Sequence, residues 1–237
     1  MKTMQRMWDA LKFLAIGTGA VLLFNFTNTR NLKRDITLGK ITFVDDNEPF
    51  ITENTVNKLL IQSKGGTAGI AKETLVLKEM ESRLRKNQMV RDAQVYLHVN
   101  GTLGAKITQR NPVARVAAVP GFYLDADGKK MPLSTVYTAR VPIVTASPGV
   151  QFKPLAPLLL AIENDTFMKR SVVGLNINNS GRVTLLLRKN NLKVLFGEPR
   201  HIEKKFQNFK AFYKKTKGKG YHTINLTFGD QVVAIKK

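Results

Sequence analysis

The chain has 237 residues, of which 43% are hydrophobic and 23% charged. This length and composition are enough to bury the core of one large domain or two small ones, and they exclude a large multidomain enzyme and a globally disordered chain. Because it contains no cysteine, disulfide bonds, thiolate metal sites, iron–sulfur clusters and a cysteine nucleophile are excluded. Its 38 Lys and Arg against 17 Asp and Glu give a formal charge of +21, which predicts an anionic partner such as nucleic acid, phospholipid headgroups or an acidic polymer.

The first predicted element is a mostly apolar run from Ala10 to Phe26. A helix that includes Trp8 would rise about 28 Å, close to the ~30 Å hydrocarbon core of a bilayer. Trp8 is placed like an interfacial anchor, and no small-residue cleavage pattern follows the run, which favours a retained anchor over a cleaved signal peptide. We therefore predict a cytoplasmic tail over residues 1–8 and a transmembrane helix over residues 9–28. The positive charges that flank the run are balanced, so charge alone leaves the orientation open.

From residue 38 the sequence predicts a unit of mixed α and β structure. The elements are a strand, two helices and two strands, over residues 41–44, 52–64, 73–86, 91–99 and 103–108. Asn100-Gly101 lies between the last two alternating runs, and this dipeptide is a strong hairpin signal. In the first of those runs we predict that alternate side chains face the core, namely Val95, Leu97 and Val99.

Pro112 marks the predicted boundary between two domains, because it has no N–H to give to a central strand. We place the first domain at residues 38–112 and the second at residues 113–237. The second is predicted to be a mainly antiparallel sheet, with helices over 152–163 and 201–215 packed on one face. Its predicted strands cover residues 121–124, 130–132, 141–144, 172–177, 182–187, 192–196 and 221–235. The predicted fold class of the whole chain is therefore α+β.

Three short motifs carry a resemblance to a known family. Val90-Arg91-Asp92-Ala93-Gln94-Val95 resembles the second-strand motif of a POTRA domain. Arg110-Asn111-Pro112-Val113-Ala114 resembles the motif that follows it, and the run from Phe122 to Gly128 resembles the hairpin that opens the next domain. In this order, after a single anchor, the motifs resemble the bacterial cell-division family FtsQ/DivIB. One departure is Gln109, which stands where the family usually has glutamate.

The resemblance implies a non-enzymatic, membrane-anchored scaffold of the division machinery, or divisome, that links partner proteins during septum formation. It implies a POTRA-like β-α-α-β-β domain followed by a β domain, and no catalytic residue, cofactor or metal. The expected location is the cytoplasmic (inner) membrane, crossed once, with most of the chain on the periplasmic or extracytoplasmic side. Partners resembling FtsB and FtsL would bind the C-terminal strand, and other divisome proteins would bind the POTRA-like domain.

The C-terminal strand, predicted over residues 221–235, is the candidate partner-binding site. We expect its outer edge to be uncovered, because the strand reaches almost to the last residue. In the family this strand ends in an aspartate-leucine-arginine-tyrosine run and receives a strand from FtsB, and Asn225-Leu226-Thr227-Phe228 occupies that run here. The resemblance and the alternation of the strand predict five partner-binding residues, of which Thr227, Phe228 and Gln231 are the exposed determinants: Leu226, Thr227, Phe228, Gln231 and Val233.

Two other function classes compete with a division scaffold. A POTRA-containing envelope-assembly or secretion factor is the first alternative. A basic nucleic-acid-binding protein is the second, since lysines and aromatic residues are interleaved over 201–219. Helical spacing argues against it, because it places the aromatic stripe in the core and the lysines on a solvated face, so no nucleic acid is expected. The stripe consists of Ile202, Phe206, Phe209 and Tyr213.

Candidate metal and catalytic patterns point to structural roles. Asp125-x-Asp127-Gly128 resembles the start of a calcium loop but lacks the closing glutamate, so we interpret it as a polar hairpin turn. The three histidines have no metal-ligand spacing, and no serine lies in a nucleophile elbow. We therefore predict no catalytic, cofactor-binding or metal-binding residue.

Overall fold

The computed structural model describes residues 2–32, 37–44, 49–61, 74–189, 192–229 and 231–236. The chain divides into two compact units. The first comprises Met1–Val44, Glu53–Lys86 and Asp92–Ile107. The second comprises Asp45–Thr52, Asn87–Arg91 and Thr108–Lys237. Two short stretches within the predicted first domain, 45–52 and 87–91, therefore belong to the second compact unit.

Helix α1 extends from Lys2 to Leu32 and includes the whole of the predicted membrane segment. Its large apolar side chains are exposed, namely Trp8, Leu11, Phe13, Leu14, Ile16, Val21, Leu22, Leu23, Phe24 and Phe26. Within the part of the chain that the structure describes, no helix combines the length and the apolar character needed to cross a membrane. The helix is thus present, but the prediction that residues 9–28 span a membrane is not confirmed.

The first unit has the predicted order of strand, helix, helix, strand and strand. These elements are β1 (Thr37–Phe43), α2 (Glu53–Ile61), α3 (Thr74–Lys86), β2 (Val90–Leu97) and β3 (Thr102–Gln109). Strand β3 lies between β1 and β2 in a three-stranded sheet and runs parallel to β1. Each helix buries apolar side chains one turn apart, Val56 and Leu60 on α2 and Met80 and Leu84 on α3. This i, i+4 spacing gives each helix one apolar face for the core.

An ion pair joins α3 to β2. The Nε of Arg85 donates to Oδ1 of Asp92 at 2.7 Å, and Nη2 donates to the backbone oxygen of Ala93 at 2.9 Å. The hydrogen bond from Arg85 lowers the pKa of the Asp92 carboxyl below its ordinary value. Glu81 reinforces this junction, because its Oε1 accepts the backbone N–H of Val95 at 2.9 Å.

Of the three residues of the strand predicted over 91–99 that were expected to face the core, only Val95 is buried, with 6% of its surface exposed. Leu97 and Val99 were also predicted to face the core, but they are 42% and 91% exposed. Val99 lies in the turn that follows β2, where the alternation no longer applies, and Leu97 is the last residue of the strand, where the core leaves it uncovered. The turn is closed by a hydrogen bond from the backbone N–H of His98 to the oxygen of Thr102, and alternation applies only while the strand continues.

The second unit is built on a nine-stranded mixed sheet. Its strands are β4 (Pro112–Val116), β5 (Phe122–Asp125), β6 (Lys130–Pro132), β7 (Ile143–Ala146), β8 (Val172–Ile177), β9 (Val183–Leu187), β10 (Lys193–Gly197), β11 (Tyr221–Asn225) and β12 (Val233–Lys236). They lie in the order β12-β11-β10-β9-β8-β7-β4-β5-β6. The pairs β10–β11, β7–β8 and β4–β7 are parallel, and the other described pairs are antiparallel. Five of these eight pairs are antiparallel, so the prediction of a mainly antiparallel sheet is correct for most of the sheet but missed the three parallel pairs.

Three helices accompany this sheet: α4 (Ala156–Asn164), α5 (Thr166–Ser171) and α6 (Ile202–Thr216). Helix α6 buries Phe206 and Phe209, two members of the predicted aromatic stripe. Phe206 contacts the Phe196 ring of β10 with centroids 5.9 Å apart, and such edge-to-face packing stabilises a core beyond the area it buries. The predicted core role of the stripe is confirmed for these two residues.

Helix α5 was not predicted, although its N-cap is recognisable. Oδ1 of Asp165 accepts the backbone N–H groups of Phe167 and Met168, both at 3.0 Å, and Oδ2 accepts a hydrogen bond from Nζ of Lys210 on α6 at 2.6 Å. Burial alone would raise the pKa of Asp165, but the hydrogen bonds from Lys210 and the two amides outweigh it and keep this pKa below its ordinary value. Asp165 therefore fixes α5 to α6.

Candidate partner-binding edge

The C-terminal segment forms a hairpin and not the single long strand predicted over 221–235. Strand β11 pairs in parallel with β10 on one side and antiparallel with β12 on the other. Strand β12 is the last strand of the sheet, so its outer backbone faces away from β11. The edge available to a guest strand therefore belongs to β12.

The break between the two strands has a local cause. The side-chain oxygen of Asn225 accepts both the backbone N–H and the hydroxyl of Thr227, at 2.9 and 2.7 Å, which turns the chain out of the strand. Gly229 has a φ of +60°, a conformation that L side chains rarely adopt, and the N–H of Gln231 donates to the oxygen of Phe228 at 3.1 Å. Asn225 and Gly229 were the signals that the prediction of one strand overlooked.

Four of the five predicted site residues lie at the surface of this hairpin. Phe228 is 56% and Val233 41% exposed, and Thr227 and Gln231 are also exposed. Leu226 is 2% exposed and packs in the core, and its backbone N–H donates to the backbone oxygen of Leu195 at 2.9 Å. A partner on this surface would contact the four exposed side chains, and Leu226 would stabilise the hairpin from the core.

Ile235 is a further exposed apolar residue of β12, which was not predicted as a site residue. It is 50% exposed and lies two residues after Val233, so both side chains project from the same face of the strand. The signal was available, since residues i and i+2 of any strand share a face.

The opposite edge of the same sheet is poorly suited to a guest strand. Strand β6 has only three residues, and one of them is Pro132, which has no N–H to donate. The Nζ of Lys130 lies over the Phe122 ring, 4.9 Å from its centroid, so this edge also carries a charge. Strand β12 is also short, with four residues, and it ends in Lys236, but it contains no proline, so all of its residues keep a backbone N–H.

A basic cleft of about 620 Å³ adjoins the hairpin. Thr227 and Gly229 form one side, and the rest of the lining is mostly basic, including Arg182, Arg200, His201, Lys204 and Lys205. Burial lowers the pKa of Lys205, whose Nζ donates to the backbone oxygens of Phe196 and Glu198 at 2.8 Å. Glu198 also lines this cleft and lies 3.4 Å from Arg200, but the basic side chains outnumber it, so the field beside the edge favours an acidic partner segment.

The motif residues at the start of the second unit have structural roles. Oδ2 of Asp125 accepts a hydrogen bond from Nη1 of Arg110 at 2.6 Å, and Oδ1 accepts the backbone N–H groups of Asp127 and Lys129. Asp125 thus closes the β5–β6 hairpin, as the interpretation of a polar turn requires. Across the described ranges, no three His, Asp or Glu side chains come together as metal ligands would.

Gln109, the departure from the family pattern, is almost fully buried at 2% exposure. Its Oε1 accepts the backbone N–H of Phe50 at 2.7 Å. Its Nε2 is buried and has no hydrogen-bond partner. A glutamate carboxylate would offer the same acceptor without an amide group to satisfy, so the accepting oxygen is the feature that this position uses.

Comparison with known families agrees with this architecture. Residues 40–108 match a POTRA-like domain, and residues 111–235 match the family described as FtsQ/DivIB, C-terminal related. No curated protein matches the chain. FtsQ/DivIB-related proteins are non-catalytic division proteins, and the family implies an envelope location. Since the second match alone covers more than half of the sequence and follows a POTRA-like domain, the chain belongs to the FtsQ/DivIB-like family.

Proposed function

We propose that the protein is a non-enzymatic, membrane-anchored scaffold of the divisome that links partner proteins during septum formation. The observation that carries this proposal is the edge strand β12, which ends the large sheet and exposes Val233 and Ile235, while Phe228 is exposed in the turn before it. An edge of this kind accepts a partner strand through main-chain hydrogen bonds, while side-chain pockets provide specificity.

The partner proposed for this edge is a small division protein resembling FtsB, paired with one resembling FtsL in a coiled coil. Its strand would extend the sheet beyond β12, and Phe228 would be the aromatic anchor, as half-exposed aromatic residues often are at interfaces. The basic cleft beside Thr227 would attract acidic residues of the same partner and increase the rate of association. Other divisome proteins would bind the POTRA-like domain, whose sheet has edges at β1 and β2.

The proposed location is the cytoplasmic membrane, with the N-terminal tail in the cytoplasm and both compact units outside it. The exposed side chains of α1 support this location. Its described large apolar residues are at least 60% exposed from Trp8 to Phe26, and so much exposed apolar surface is unfavourable in water. Lipid contact would remove this apolar surface from water.

Replacing Phe228 with Ala is expected to weaken capture of the FtsB-like partner by about 30-fold or more, the effect of losing an interface hot spot of about 2 kcal/mol. The thermal midpoint should hardly change, because Phe228 is more than half exposed. The measurement is a titration of the full chain with the partner pair. Leu133→Ala is the matched control, because Leu133 is an exposed apolar residue next to the opposite edge strand. This variant should bind the partner pair as tightly as the unaltered chain.

Undiminished capture by the Phe228→Ala variant would exclude the hairpin as the partner site. Retrieval of secretion or outer-membrane assembly components from the native membrane, with no division protein among them, would favour the envelope-assembly alternative.

A further inference from the structure

A second basic cleft lies in the C-terminal unit and shares no lining residue with the cleft beside the hairpin. It has a volume of about 720 Å³. Phe167 of α5 and Tyr213 of α6 provide its aromatic wall. The other lining residues are five lysines, Lys189, Lys210, Lys214, Lys217 and Lys219. We call this surface the lysine cleft.

Four of the five lysines lie close together in the sequence, and Lys189 comes from a distant segment. Lys210, Tyr213 and Lys214 follow one another at i, i+3 and i+4, the spacing that places side chains on one face of a helix, and Lys217 is the C-cap that follows α6. Lys219 follows the end of α6, and Lys189 comes from the connection after β9. The fold therefore adds Lys189 to the positive charges that the sequence already places near the end of α6.

The lysine cleft concentrates five ammonium groups in its lining. Lys210 is paired with Asp165, whose Oδ2 lies 2.6 Å from its Nζ. The described lining residues include no Asp or Glu. Like charges held close together repel one another, so an anion in the cleft would stabilise this arrangement.

The dipole of α6 accounts for only part of the cluster. Lysines in the last turn of a helix interact favourably with its partly negative C-terminal end, which explains Lys214. Lys189 and Lys219 lie outside α6 and have no such role. A shared ligand accounts better for their presence in the cleft.

The aromatic wall restricts the class of anion. The Phe167 and Tyr213 rings are half-buried and meet edge to face, with centroids 5.4 Å apart. They do not form the stacked platforms on which nucleic-acid bases bind. An apolar wall beside ammonium groups suits a ligand with an anionic head and an apolar body, and lysine binds phosphate as a compact point charge.

We propose that the lysine cleft binds the phosphate headgroup of an anionic lipid. This function goes beyond the binding of division proteins at β12, although the choice of a lipid rests on the proposed membrane location. Binding here would hold the second unit at a membrane surface that carries negative charge.

A single fluorophore can report on the cleft, because the chain contains no cysteine. Thr166→Cys places the label at an exposed residue next to Phe167. The labelled full chain is held in phosphatidylcholine nanodiscs and titrated with short-chain phosphatidylglycerol. We expect a saturable signal with this probe, none with short-chain phosphatidylcholine, and binding at least about tenfold weaker with glycerol phosphate, which lacks the apolar body.

Two triple variants with the same loss of charge provide the control. K189Q/K214Q/K219Q should weaken phosphatidylglycerol binding by about tenfold or more, because each removed lysine contributes to the attraction. K106Q/K129Q/K193Q changes three exposed lysines outside the cleft and should leave binding unchanged. Equal effects of the two triple variants, or an equal signal with phosphatidylcholine, would overturn the proposal.

Two further results test whether the ligand is a lipid and whether the lysine cleft acts independently of β12. Glycerol phosphate that binds as tightly as the lipid would show a site for soluble phosphate esters and would overturn the lipid assignment. The Phe228→Ala variant should titrate normally with phosphatidylglycerol, so that failure of partner capture at β12 and failure of lipid binding at the lysine cleft are distinguishable.

Discussion

Replacing Asp125 with Ala is expected to lower the free energy of unfolding of the second unit by about 3–5 kcal/mol, the usual result of removing one partner of a buried ion pair. The side chains of Arg110 and Asp125 are 13% and 4% exposed, so little water is available to replace the carboxylate. The variant would leave the guanidinium and the backbone N–H groups of Asp127 and Lys129 without their acceptor. Chemical denaturation followed by circular dichroism measures the change.

Asp127→Ala is the matched control for this experiment. Asp127 belongs to the same hairpin, but its side chain is 47% exposed and its Oδ1 lies 3.9 Å from the nearest Arg91 nitrogen. An exposed pair of this kind contributes less than about 1 kcal/mol. Equal destabilisation by the two variants would contradict the structural role of Asp125.

The second large effect is expected from Val95→Asp, which should unfold the POTRA-like unit. Val95 is 6% exposed, and its backbone N–H already donates to the carboxylate of Glu81, so a new carboxylate would be buried near another negative charge. A cost of about 3 kcal/mol or more is comparable with the total stability of a small domain.

Hydrogen exchange in peptides that cover 74–109 measures this loss of structure. Gln94→Asp introduces the same charge at the exposed neighbouring position and should leave exchange slow. If both variants exchanged at the same rate, the assignment of Val95 to the core would be wrong.

Local patterns were sufficient to predict most elements of the first unit. The spacing of Met80 and Leu84 indicated α3, and Asn100-Gly101 indicated the hairpin that follows. The facing of Leu97 and Val99 was mispredicted, because a period of two does not show where a strand ends. The unit boundaries were also beyond local patterns, since Phe50 bonds to Gln109 and Ser134, far away in the sequence, and Met89 bonds to Arg110.

The candidate site was predicted in part. The C-terminal position of the edge and the exposure of Phe228 followed from the sequence, whereas the division into β11 and β12 did not. The turn depends on the side chain of Asn225 accepting two hydrogen bonds from Thr227, and such a contact is not visible as periodicity. The lysine cleft was missed for a different reason: Lys189 joins the lysines of α6 only through tertiary packing.

Hydrogen–deuterium exchange of the full chain, with and without the FtsB-like partner, tests the central claim most directly. If the partner adds a strand to β12, the backbone N–H groups of peptides covering 231–237 should exchange more slowly in the complex, because outward-facing groups gain hydrogen bonds. Exchange at the opposite edge, over Lys130–Pro132, should not change. Protection at β6, or a complex that leaves β12 exchanging as fast as in the free protein, would contradict partner binding through the C-terminal edge.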